Sequence, residues 1–146
     1  LGRLEGHGGV DRAVVWRGRR ELGLSKRDVD IVQRAKAAVA AGMQALLKKA
    51  GLAGRDLCRV LVGGTFGRYL DPGNAVDIGL LPPGAGEVRL CGNTALAGCG
   101  QILFSGQARG RLERLRQNAE LVNLARDPAF DELFFENLYL RPMREA

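Results

Sequence analysis

The run Val60-Leu61-Val62-Gly63-Gly64-Thr65-Phe66-Gly67 is the sharpest chemical feature of this 146-residue sequence: an apolar stretch that closes on a glycine pair. Without side chains, such a pair lets a flat ligand lie against the backbone and exposes N–H groups at a strand's carboxyl end, where open α/β sheets take ligands. A nucleotide is the natural candidate. Taken alone, a strand ending in Gly-Gly is more often only a turn, and the run matches neither the GxxxxGK[ST] phosphate loop nor GxGxxG. A second strand-to-helix turn at Asn93-Thr94 reads first as a helix cap.

Other reactive groups are sparse. A single histidine, His7 beside Gly8 and Gly9, excludes most catalytic triads and histidine-rich metal sites. Cys58, Cys91 and Cys99 form no CxxC and are odd in number, against a disulfide framework or a zinc site; Cys91 and Cys99 read as buried small apolar residues, and a cytoplasmic location is expected. The net charge of +6 is weighted to the first 60 residues, with 13 basic and 6 acidic side chains there. The excess is diffuse, without the interleaved aromatics that stack bases, so a solvated face is expected rather than a nucleic-acid site. The longest uncharged stretch, Leu90 to Ala108, is too interrupted by Gly, Asn, Gln and Ser for a bilayer. The sequence opens on Leu1 with no leader pattern, which reads as a fragment.

The elements that must position the glycine pair follow from local signals. Ser25 and Asp28 form a capping-box pattern before an alanine-rich segment ending at Gly51, which predicts a long helix with Val32, Ala35, Val39, Met43, Leu46 and Ala50 as its buried stripe. Strands are expected at Val10–Trp16, Leu57–Val62 and Glu87–Cys91, with a turn at Arg17–Arg20 and a further strand at Leu121–Leu124. Asn74 is expected to cap a short helix through Ile78, stopped by Gly79. Helices are also expected over Thr94–Phe104, Leu112–Ala119 and Pro128–Leu138. With 46% apolar residues, this reads as a single α/β domain over residues 1–146.

Four local patterns occur in order: QRAKAAVAAG from Gln33, VGGTFGRYLDPGNAVDIGLLP from Val62, CGNTALAG from Cys91, and DPAFDELFFENLYLRP from Asp127. Together they resemble the C-terminal ATPase domain of reductive activators of corrinoid proteins, within the superfamily of actin, heat-shock 70 chaperones, and acetate and sugar kinases. The resemblance implies the C-terminal part of a ribonuclease-H-like, actin-like ATPase lobe. It matches Ala35–Leu47 to the second connecting helix and Val62-Gly63-Gly64-Thr65 to the adenosine motif. Gly63 and Gly64 are then the first adenosine contacts, followed by Thr65 and Phe66. Lys36 could reach the nucleotide from the connecting helix, against the alternative of a solvated helical lysine. Gly42 gains a packing role where the lobes cross.

In that family, the acidic phosphate motif and the first connecting helix, which hold Mg²⁺ and the γ-phosphate, lie upstream, as does a [2Fe-2S] domain of plant type. The resemblance thus implies ATP, Mg²⁺ and [2Fe-2S] in a longer protein, with a corrinoid protein or corrinoid methyltransferase as partner. It leaves room for a homodimer and points to no nucleic acid and no membrane. The implied work is returning corrinoid Co(II) to Co(I), driven by ATP, with no catalytic residue or metal ligand assigned in this segment. Three rivals stay open: a docking or dimerisation module without nucleotide binding, a small-molecule kinase, and an activator of a 2-hydroxyacyl-CoA dehydratase with a cysteine-ligated [4Fe-4S] cluster.

Overall fold

A computed structural model describes residues 12–17 and 21–144; His7 and most of the expected Arg17–Arg20 turn lie outside the described residues. Strands β1 (Arg12–Arg17) and β2 (Glu21–Ser25) pair antiparallel, with a register shift between Val14 and Trp16. The second of these strands carries too short an alternation to have been read from sequence. Ser25 ends β2 and caps helix α1 (Lys26–Ala50). Its hydroxyl accepts from the Asp28 amide at 3.2 Å, while Asp28 Oδ2 accepts from the Ser25 amide at 2.9 Å, the reciprocal arrangement that satisfies two first-turn donors. Gly51, at φ +67, closes the helix by donating to the Leu47 and Lys48 carbonyls, as a left-handed C-terminal glycine does.

The face of α1 that is buried is not the predicted one. Val32, Val39 and Leu46 are exposed, and the buried positions are Lys36, Ala37, Ala40, Ala41, Gly42 and Ala45. Small residues win because the partner is another helix, α5 (Pro128–Glu136), packed along α1; alanines let the two backbones approach closely. Gly42 packs in the same way, since a Cβ there would lie 3.2 Å from Leu124 Cδ1.

After Gly51 the chain reaches β3 (Arg59–Gly63), crosses through α2 (Pro72–Asp77) and returns as β4 (Glu87–Gly92). The two strands are parallel, registered from Arg59 opposite Glu87 to Gly63 opposite Gly92, and a crossover connection is what parallel pairing requires. Asp71, not Asn74, caps α2: its Oδ1 accepts from the Asn74 amide at 2.8 Å, with Pro72 in the first turn where its missing N–H costs nothing. Gly79, at φ +75, follows the end of the helix as expected.

Helices α3 (Thr94–Phe104) and α4 (Ala108–Asn118) follow β4. Neither has a buried residue. The strand expected at Leu121–Leu124 does not form; Leu121 is 95% exposed and Leu124 opens a 3-10 turn through Arg126. Those four residues have apolar content but, among the described residues, no neighbouring strand to bond. Asp127 then caps α5 by accepting from the Ala129 amide at 2.9 Å. Cys58, Cys91 and Cys99 are all exposed free thiols, which corrects the expectation that the latter two are buried: the strand end and helix that carry them have no cover within the described residues. The core is made of small side chains, with Leu81 and Met143 its largest members.

Candidate functional site

The parallel register brings two glycine turns side by side. Gly63-Gly64 closes β3 and Gly92-Asn93 closes β4, and the Gly64 amide donates to the Gly92 carbonyl at 2.6 Å. The glycines differ in what they do. A Cβ on Gly63 would lie 2.9 Å from Thr94 Oγ1, so this position admits the first residue of α3. Gly64 sits at φ +93 with nothing within 4 Å of where a Cβ would stand, an open backbone surface in a conformation that L residues avoid. Asn93 Oδ1 accepts from the Leu96 amide at 3.0 Å, so Asn93 is the expected cap. The positive end of the α3 dipole therefore adjoins the glycine turns.

Gly63, Gly64 and Thr65 are exposed at this edge. Phe66 begins a 3-10 turn, Phe66–Tyr69; its side chain lies outside the described residues. Gly92 and Thr94 complete the edge. Sequence reading placed them in a separate turn, and only the strand pairing brings them beside Gly63. Two Asp-x-Gly triplets are present, Asp71-Pro72-Gly73 and Asp77-Ile78-Gly79. One caps α2 and the other ends it, so both serve that helix.

Lys36 is buried against the end of α5. It is only 4% exposed, so it is not a solvated helical lysine. Its ammonium donates to the Asn137 carbonyl at 2.9 Å and to the Tyr139 carbonyl at 3.1 Å. Asn137, also buried, donates from Nδ2 to Gln44 Oε1 at 2.6 Å and to the Leu133 carbonyl at 2.8 Å. Two α1 side chains thus hold the residue that ends α5, where a cation meets the negative end of the helix dipole. Asn137 was missed because its partners on α1 lie 93 and 101 positions away, with no local pattern to mark them. Burial, and then the nearby Arg141 charge, lower the Lys36 pKa from its ordinary 10.5.

That shift has a measurable sign. Between the lowered value and 10.5 the unfolded chain binds more protons than the folded one, so stability rises with pH across that window. In urea unfolding, the stability of the wild type relative to Lys36→Met is therefore expected to increase as the pH rises towards 10.5. A flat difference would mean that Lys36 titrates alike in both states.

Comparison with known proteins places these features in a family. The family described as the C-terminal domain of RACo, the ASKHA domain, matches residues 3–145. The corrinoid activation enzyme RamQ of Eubacterium limosum is 36% identical over 119 residues, covering 81% of this chain and 20% of RamQ. A solved structure titled reductive activator for corrinoid, iron-sulfur protein superposes with a TM-score of 0.82 at 25% identity, covering 94% of this chain and 23% of that one. The chain thus spans about a fifth of the length of these relatives. The α/β fold and the ASKHA resemblance both stand.

Proposed function

This chain belongs to the family of RACo C-terminal ASKHA domains, and from that premise we propose that it is the nucleotide-binding C-terminal part of an ATP-dependent activator that returns corrinoid Co(II) to Co(I). The observation that carries the reading is the pair of glycine turns at the carboxyl ends of β3 and β4, joined by the Gly64–Gly92 hydrogen bond. That edge fits an adenosine: the backbone at Gly64 is bare, nothing stands within 4 Å on its side-chain side, and α3 starts beside it. Gly63, Gly64 and Thr65, with the backbone of Phe66, would hold the nucleoside. Bound with Mg²⁺, ATP supplies the free energy that makes an uphill electron transfer to cobalt favourable, through its different affinity for two conformations.

The residues of this segment bind and orient; the electrons come from a [2Fe-2S] centre elsewhere in the longer protein. The partner is a corrinoid protein or methyltransferase in the cytoplasm. Among the described residues, no helix is long and apolar enough to cross a membrane. A segment that works inside a larger polypeptide also accounts for the uncharged helix α3, whose Leu103 and Phe104 lie uncovered here at 77% and 91% exposure; a helix that apolar is ordinarily a buried one.

Calorimetric titration with Mg-ATP tests the assignment. The isolated chain is expected to bind weakly or not at all, because adenosine contacts without phosphate and Mg²⁺ ligands leave the ligand's charge unpaired. The full-length protein is expected to bind. Sub-micromolar affinity with turnover in the isolated chain would reveal a phosphate site within these residues, and absence of binding by the full-length protein would overturn the nucleotide reading.

A further inference from the structure

The glycine loop runs into α2 through short hydrogen-bonded turns, beside a surface cavity of about 330 Å³ bordered by Tyr69, Asp71 and Ile78. A Cβ on Gly67 would lie 2.7 Å from Val62 Cγ1, so the 3-10 turn folds directly back on β3. The Arg68 amide donates to the Thr65 carbonyl at 3.3 Å, and Asp71 then caps α2. At the far end, the Gly79 amide donates to the Val76 carbonyl at 2.9 Å and the Leu80 amide to the Ala75 carbonyl at 2.7 Å. Hydrogen-bonded turns and the short helix α2 span the fifteen positions from Gly64 to Gly79. Whatever seats Gly79 therefore bears on where the loop stands.

Gly79 is seated by two groups. A Cβ there would meet the Arg141 carbonyl oxygen at 2.2 Å and Lys36 Nζ at 2.9 Å. Lys36 in turn holds the segment that carries Arg141, through the Asn137 and Tyr139 carbonyls. The Arg141 guanidinium lies 5.1 Å from the Tyr139 ring centroid. The crevice beside Lys36, bordered by the charged Glu136, Arg141 and Arg144, measures about 10 Å³, space for one water at most. The ammonium's contacts in this arrangement are the two backbone carbonyls. Burying a cation costs desolvation, and removing a partner from such a buried contact is strongly destabilising.

We propose that Lys36 is a positioning residue for the glycine loop: it clamps the C-terminal segment 137–143 onto α1, and clamp and segment together seat Gly79 and so hold the loop-to-α2 unit against the connecting helix. The proposal rests on the nucleotide reading above for its functional consequence, and on packing alone for its structural one.

The test uses the full-length protein with Lys36→Met, which keeps the chain length and removes the donors, beside Ser25→Ala, which weakens the α1 cap far from the loop. Thermal unfolding, Mg-ATP affinity, the KM for ATP against kcat in corrinoid reduction, and amide exchange over residues 63–80 are measured on each. Lys36→Met is expected to raise the Kd and KM for ATP roughly 10-fold, the scale of one charge-assisted hydrogen bond, and to speed exchange over residues 66–80 and 137–143. Ser25→Ala is expected to lower the melting temperature while ATP affinity stays within about two-fold. Should Lys36→Met fail to fold, Lys36→Gln, which retains two N–H donors, takes its place with a smaller shift in the same direction. A melting-temperature loss with unchanged ATP affinity and unchanged exchange over 66–80 would overturn the proposal. If the wild type binds no ATP, the nucleotide reading fails by itself, and the exchange comparison still decides for or against the clamp.

Discussion

Replacing Gly79 by alanine is expected to destabilise the fold by about 3–5 kcal/mol, a loss confined to substitutions with a named steric or electrostatic cause. Two causes act together here. At φ +75 any L residue takes on left-handed strain, about 1–2 kcal/mol. The new methyl would also stand 2.2 Å from the Arg141 carbonyl oxygen and 2.9 Å from Lys36 Nζ. Neither neighbour yields easily: one is backbone, and the other is bonded to two carbonyls. Gly51→Ala is the matched control, because Gly51 has nearly the same φ, +67, and nothing within 4 Å of its Cβ position. That variant is expected to lose only about 1 kcal/mol. Urea unfolding of the two side by side separates contact from conformation, and equal losses would mean that the C-terminal segment moves aside without cost.

Gly64→Val is expected to reduce ATP affinity of the full-length protein by at least about 100-fold, since the isopropyl group would cover the bare backbone offered to the adenosine; that is roughly 2.7 kcal/mol. At φ +93 the substitution is strained whatever the space around it, so a stability loss of about 1–3 kcal/mol accompanies it. Gly64→Ala supplies the comparison, sharing the strain while covering far less surface. Both are titrated at a temperature where each variant remains folded. On the proposed function, corrinoid reduction falls in parallel with ATP affinity, while electron uptake by the proposed iron-sulfur centre from a chemical reductant persists. Lost stability with unchanged ATP affinity in the valine variant would remove the adenosine assignment.

The local devices of this chain were legible without the fold. Ser25 and Asp28 announce the start of α1 and Gly51 its end, because capping depends on groups three or four residues apart. The apolar run into Gly63-Gly64, the cap at Asn93 and Pro128 at the head of α5 are readable for the same reason. The ordered motifs extend that reading to a family, and the match over residues 3–145 agrees with it.

What only the tertiary structure decided are the matters that depend on a distant partner. Periodicity offered α1 a larger apolar stripe through Val32, Val39 and Leu46, yet the alanine face is buried, because α5 approaches where side chains are smallest. Leu121–Leu124 has strand-forming residues and, among the described residues, no strand beside it. Gly63 and Gly92 become neighbours only through the parallel register, 29 residues apart, with Thr94 filling the space that a side chain on Gly63 would need. Lys36 has the look of a surface lysine in any window of the sequence. Its burial follows from two carbonyls more than 100 residues downstream, and a hydrogen bond of that span leaves no trace in the residues around either end.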